Sequence, residues 1–281
     1  MESETLHVQQ LSKRFGTTVA LDAVDLVIPN GQMVGVIGCS GAGKSTLLRT
    51  IKHLNKPDSG FIMWQGSVVS GLRGRQLRQW QRNCGMIFQQ FNLVPRLDVL
   101  TNVLMGRLSY RRTLPSLLKL FPEQDRAQAI RMLERVGLAQ CAFQRADTLS
   151  GGQQQRVAIA RALVQQPALM LADEPIASLD PRAAEVVMQT LARINREDGI
   201  TVICNLHTVD TARRFCDRII GMRDGKIIFD DVADRLNNAV VQAIYGADHD
   251  ESFDESVTST ALTQNAASSS QRSMASSLRS A

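Results

Sequence analysis

Long apolar runs are missing from this sequence: no window approaches the 18 or more consecutive apolar residues of a membrane-crossing helix. Cysteine pairs are missing too. Cys39, Cys84, Cys141, Cys204 and Cys216 are odd in number and scattered, with no Cys-x-x-Cys. That excludes a disulfide framework or a zinc ribbon and predicts reduced, mostly buried thiols. The first residues, Met1-Glu2-Ser3-Glu4, are acidic and lack the basic and apolar regions of a secretory leader, so the chain is expected to stay in the cytosol. Acidic residues are scarce in one place only. Residues 59–122 carry nine basic side chains and a single acid, Asp98, whereas the whole chain has a net charge of only +5. A basic balance admits nucleic acid, an anionic membrane surface or a small anionic ligand as partner.

What remains is the composition of a globular chain of 281 residues, 44% hydrophobic and 21% charged. No repeat recurs at a fixed period. Residues 251–281 hold ten Ser, five Ala and three Thr with one aromatic, Phe253, and are expected to be a disordered tail after a body of residues 1–250. The body reads as α/β. Extended segments fall near Leu6–Val8 and Val19–Ile28, a strand at Gln32–Ile37 and a helix at Lys44–Leu54. From Ala168 strands and helices alternate, which predicts a largely parallel sheet. The middle, about 90–160, carries mainly helical signals and reads as a helical insertion.

Gly38-Cys39-Ser40-Gly41-Ala42-Gly43-Lys44-Ser45 fits G-x-x-x-x-G-K-[ST] between an apolar strand and a helix. Glycines let backbone N–H groups curl around phosphate oxygens at a helix N-terminus, whose partial positive charge favours anions. Lys44 would reach the β- and γ-phosphates and Ser45 would offer its hydroxyl to Mg²⁺. Further on, Leu169-Met170-Leu171-Ala172 ends in Asp173-Glu174. A buried strand delivers acids at the mouth of the sheet, with Asp173 on the metal and Glu174 as general base for water. A strand followed by an ordinary acidic turn has the same pattern.

Leu149-Ser150-Gly151-Gly152-Gln153 opens a helix and forms a second anion-binding N-terminus. One nucleotide does not need two cradles in one subunit, but a head-to-tail dimer does. A simple capped helix would also explain Ser150.

On these motifs the sequence resembles the ATP-binding subunit of ABC transporters over roughly residues 4–246. The resemblance implies a P-loop ABC-type nucleotide-binding domain: a mainly parallel core sheet, an antiparallel β subdomain and an inserted helical subdomain. It implies ATP bound by Phe15, Gly38, Cys39, Ser40, Gly41, Ala42, Gly43, Lys44, Ser45 and Thr46, with Ser150, Gly151, Gly152 and Gln153 reaching across in trans. Glu174, His207 and Gln89 are implied in catalysis, Ser45, Gln89 and Asp173 in holding Mg²⁺, and Asp180 in the dimer contact. Each has a plainer alternative. Phe15 fits a core aromatic, Gln89 and Gln90 fit solvated polar residues, Asp180 caps the helix at Pro181, and His207 alone fits a structural histidine.

Phe88-Gln89-Gln90-Phe91-Asn92-Leu93-Val94-Pro95, Asn102–Leu108, Glu174–Asp180 and the stretch Tyr110–Gln124 are similar to the ATPase subunit of phosphonate importers. That implies a homodimer working with two membrane permease subunits, and indirectly with a solute-binding protein, at the cytoplasmic face of the inner membrane. Phosphate esters and phosphite are further solutes of that kind, and methionine or polar amino-acid import is the alternative within the class. A DNA-associated ATPase of the same dimerising type is the alternative outside it. The 105 residues between Lys44 and Ser150 hold neither long heptads nor Cys pairs, which counts against it, and no nucleic acid is expected as partner. A small-molecule kinase would leave Leu149–Gln153 unexplained. Arg73, Arg75, Arg78, Arg82, Arg107, Arg111 and Arg112 are expected to form a docking surface for membrane subunits and headgroups, or an ordinary solvated basic face.

Overall fold

The structure, a computed structural model, describes residues 5–110 and 121–246. The expected tail at 251–281, Arg111, Arg112 and the part of Tyr110–Gln124 within 111–120 lie outside the described residues.

Three short strands are apolar at nearly every position and buried at every one: β3 (Met33–Ile37), β7 (Leu169–Asp173) and β8 (Thr201–Asn205). A strand buried on both faces reads as a continuous apolar run, the mark of a parallel sheet covered on two sides. With β6 (Cys84–Ile87), β9 (Arg218–Arg223) and β10 (Lys226–Val232) they form a six-stranded sheet in the order β10-β9-β3-β8-β7-β6. All of its pairings are parallel except β10 on β9. A second sheet is antiparallel: β1 (Thr5–Phe15), β2 (Thr18–Pro29), β4 (Ser59–Trp64) and β5 (Ser67–Val68), in the order β2-β1-β4-β5.

The two-residue period of a strand divides the core. Leu169 and Leu171 of β7 pack with Val34, Val36, Ile203, helix α1 (Lys44–Ile51) and the antiparallel sheet. Met170 and Ala172 point the other way, into a core shared with Met33, Val202, Cys204 and the remaining helices. Those helices include α3 (Val99–Leu104), α4 (Glu123–Arg135) and α5 (Gly151–Leu163), which lie between β6 and β7, and α6 (Pro181–Asp198). Before β6 comes α2 (Gly74–Asn83). After β8 come α7 (Val209–Phe215) and, last, α8 (Asn238–Tyr245).

Two local expectations differ. The helix expected to reach Leu54 ends at Ile51, because His53 takes a left-handed φ of 60° and turns the chain. The edge strand β6 carries no alternation and includes Gly85, so its sequence gave no strand signal. Pairing with β7 makes it a strand, and the absent Cβ leaves room for Pro167. Four cysteines are buried and Cys39 is half-buried, all as free thiols.

Candidate nucleotide site at the ends of β3, β7 and β8

The site starts where β3 runs out. Gly38 has φ 148° and Gly43 φ 102°, and a Cβ on either would stand 2.2 Å from the Met222 carbonyl oxygen or 2.3 Å from that of Ala20. These two positions therefore require glycine, while a Cβ on Gly41 (φ 82°) would meet open space. The loop curls back so that the Ala42 N–H donates to the Cys39 carbonyl, and α1 begins at Lys44. The Lys44 ammonium is 4% exposed and donates to the carbonyls of Gly38 (2.6 Å) and Cys39 (2.9 Å). Burial pushes its pKa down, while Glu174, Cys39 and Asp173 pull it back up through their negative charge. A buried cation inside a ring of backbone groups at a helix start is a cradle for phosphate.

Asp173 ends β7 beside this loop and is 1% exposed. It accepts from Ser45 Oγ (2.6 Å), Asn205 Nδ2 (2.8 Å) and Arg49 Nη2 (3.2 Å). Glu174 follows with a left-handed φ of 54°, a strained conformation for a side-chain-bearing residue. Its Oε1 lies 2.8 Å from Nε2 of His207. A carboxylate only accepts, so the contact places the imidazole proton on Nε2. Tyr245 of α8 donates its hydroxyl to the His207 carbonyl (3.2 Å), and Cys39 Sγ lies 3.3 Å from the Tyr245 carbonyl. The last helix thus ties the phosphate loop to the histidine. Burial drives the Tyr245 phenol up to about 12, so it stays a donor at any physiological pH.

Loop, Asp173, Glu174 and His207 thus lie together at one edge of the sheet. Phe15 is half-exposed at the end of β1, paired with Thr18, and β2 carries Ala20 on to Gly43. The Phe15 ring is left open to solvent, with the Lys13 ammonium 5.4 Å from its centroid. Thr46 lies in the first turn of α1, its carbonyl accepting from Thr50 Oγ1, and Ser40 is exposed. Gln89 and Gln90 are exposed and form no hydrogen bond among the described residues.

The Ser150 segment lies apart from this cluster. Ser150 caps α5 in a reciprocal box: its backbone N–H donates to Gln153 Oε1 (2.9 Å) and its hydroxyl accepts from the Gln153 N–H (3.4 Å). A Cβ on Gly151 would touch Leu179 and Phe91, and one on Gly152 would crowd Ala183 at 2.7 Å. Among the described residues no hydrogen bond links Ser150–Gln153 to Gly38–Ser45. Asp180 caps α6, accepting from the Ala183 N–H (2.9 Å). Arg49, Asn205 and Tyr245 escaped the sequence reading. For Asn205 a signal existed: the apolar run Val202-Ile203-Cys204 ends in a polar residue, as Leu169–Ala172 does.

A phosphate loop on a parallel sheet, a strand-end Asp-Glu pair, a histidine just past the neighbouring strand and a second capped glycine helix together define an ATP-binding cassette. A model of the ABC transporter family matches residues 21–177, and the chain belongs to that family. Phosphonates import ATP-binding protein PhnC of Rhizobium etli is 60% identical over 256 residues, covering 91% of each chain. The protein of the same name from Agrobacterium fabrum is 58% identical over 259 residues, covering 92% of this chain and 91% of its own. Among solved structures, the ATP-binding cassette MJ0796, a dimer in a post-hydrolysis state with ADP and Pi, has a TM-score of 0.71. It is 36% identical, covering 81% of this chain and 98% of its own. The cassette cbiO1 of Clostridium perfringens, part of the cbiONQ transporter complex, has a TM-score of 0.74 at 27% identity, covering 86% and 94%.

Proposed function

We propose that this chain is the ATP-hydrolysing subunit of a phosphonate importer. The observation that carries the ATPase reading is the convergence of Lys44, Ser45, Asp173, Glu174 and His207 at one edge of the sheet. The solute comes from the relatives, named as phosphonate importers at 54–60% identity over nine-tenths of the chain.

In this reading the loop N–H groups and Lys44 bind the β- and γ-phosphates, and Phe15 stacks on the adenine. Ser45, Asp173 and Gln89 would hold Mg²⁺. The donor set fits, since hydroxyl, carboxylate and amide are hard oxygens. When bound, Mg²⁺ neutralises charge on the transferring phosphoryl group. Glu174 accepts a proton from water as the water oxygen bonds to the γ-phosphorus and the bond to the leaving ADP oxygen breaks. His207 holds Glu174 in line. Ser150, Gly151, Gly152 and Gln153 of a second copy close over the γ-phosphate, with Asp180 at the contact. That arrangement is supported by the capped glycine helix, which forms no hydrogen bond to its own subunit's phosphate loop among the described residues, and by the dimeric relative.

The arginine face serves as the docking surface for two membrane-embedded permease subunits, with the ATPase peripheral on the cytoplasmic side of the inner membrane. No helix of the described residues is long and apolar enough to cross a membrane. Arg75, Arg78 and Arg82 recur on one side of α2 and line a cavity of about 510 Å³ with Tyr110, whose ring lies 4.4 Å from the Arg82 and 4.0 Å from the Arg107 guanidinium. Arg75 and Arg78 form no ion pair among the described residues.

The test is uptake in cells expressing the complete transporter. An alkylphosphonate should enter only with an intact Lys44, while methionine should not compete. Competition by methionine at equal concentration would overturn the solute assignment and leave the ATPase reading standing.

A further inference from the structure

We propose that Asn205 is a positioning residue for the metal–nucleotide site, a role that rests on the reading of Ser45 and Asp173 given above. Asn205 closes β8 in parallel register with Asp173 at the end of β7. It is fully buried. Its Nδ2 donates to Asp173 Oδ1 at 2.8 Å, the same oxygen that accepts from Ser45. That contact fixes which way the amide points, because an ionised carboxylate has no proton to give. The carbonyl Oδ1 of Asn205 must then face away from Asp173, and there it is buried without a hydrogen-bond partner among the described residues.

A buried carbonyl left unpaired is costly, because it has given up its hydrogen bond to water. The neighbouring acids, Asp173 and Glu174, supply acceptors and no donor. A donor that arrives with the bound nucleotide and its ion would pair that carbonyl. A water on Mg²⁺ is such a donor: the ion keeps several waters when the protein supplies only one or two ligands, and its charge makes their protons better donors. Asn205 then does two things at once. It holds the Asp173 carboxylate at a fixed angle to Ser45, and it offers its carbonyl to the water shell of the ion. Residues of this outer kind tune metal affinity about 10- to 100-fold.

The test compares nucleotide affinity with and without Mg²⁺ in the full chain, using a fluorescent ATP analogue, for wild type, Asn205→Leu and Asn205→Asp. Leucine matches the shape and removes both polar atoms, whereas aspartate keeps an acceptor. With Asn205→Leu the affinity gained from Mg²⁺ is expected to fall about tenfold. Metal-free binding should stay within about twofold, since Lys44 and the loop are untouched. Asn205→Asp, which keeps an acceptor but gives Asp173 no proton and sets a second carboxylate against it, is expected to lose the gain as well. Asn205→Ala carries the same expectation where Asn205→Leu does not fold. An unchanged Mg²⁺ gain in Asn205→Leu overturns the proposal. So does an equal fall in metal-free and metal-dependent binding, which is what a packing role or a structural water would produce. If the wild type itself gains nothing from Mg²⁺, the metal reading of Ser45 and Asp173 fails, and that result is distinct from either of the others.

Discussion

Nε2 of His207 stands 2.8 Å from Oε1 of Glu174, joining a residue just past β8 to one just past β7. Because β7 and β8 pair in parallel with Asp173 opposite Asn205, their ends deliver both side chains to the same edge. The contact aims a carboxylate whose own backbone is held at a left-handed φ.

Replacing the imidazole should release that aim. His207→Ala is expected to lower turnover about 10²-fold, the scale of losing a well-placed acid–base partner. Nucleotide affinity should change less than about threefold. Phosphate release and equilibrium binding on one preparation check it; equal losses in both would mean that His207 serves binding, not turnover.

Lys44→Ala should weaken nucleotide binding more than tenfold. The ammonium is buried and already sits on two loop carbonyls, so no other cation can take its place. Titration with a fluorescent nucleotide reads this, and unchanged affinity would argue against the loop as phosphate site.

Two glycines of the loop should behave differently. Gly43→Ala brings a Cβ to 2.3 Å from the Ala20 carbonyl at a φ of 102°, and should cost at least about 2 kcal/mol of stability. Gly41→Ala meets open space and should cost about 1 kcal/mol, the left-handed penalty alone. Urea midpoints of the two variants give the comparison.

Thiol chemistry should single out Cys39. Burial raises Cys84 to about 11 and Cys204 to about 12, so both stay protonated and unreactive at pH 8. Half-buried Cys39, inside the phosphate loop, should label first, and ATP should protect it. The sign for stability follows. A thiol raised in the folded state helps folding fully below the unfolded value near 9 and loses that help as pH climbs towards 11. Rapid labelling of several thiols in native protein at pH 8 would contradict the packing.

Much of this was legible in the sequence for a physical reason. A parallel sheet covered on both faces leaves unbroken apolar runs, and Leu169–Ala172 ending in two acids could be read directly. The loop glycines were equally plain, since their spacing mirrors a backbone need. Asn205 showed only as the polar end of an apolar run, and its meaning comes from a register with Asp173 that only the folded sheet sets. Arg49 likewise gains its role one turn into α1, by reaching over to Asp173. The excess of arginine in 59–122 was visible, but not that Arg82 and Arg107 flank the ring of Tyr110. Nor did β6 announce itself, with four residues and a glycine.

The central claim is that Glu174 takes the proton of the attacking water in a nucleotide-bridged pair of subunits. Glu174→Gln keeps the size and the hydrogen-bonding reach of the side chain and removes its basicity. Phosphate release and molecular mass should be measured together on this variant with ATP and Mg²⁺. Turnover is expected to fall about 10³-fold, with nucleotide still bound and a stable dimer accumulating. Hydrolysis at the wild-type rate, with no accumulated dimer, would contradict the account.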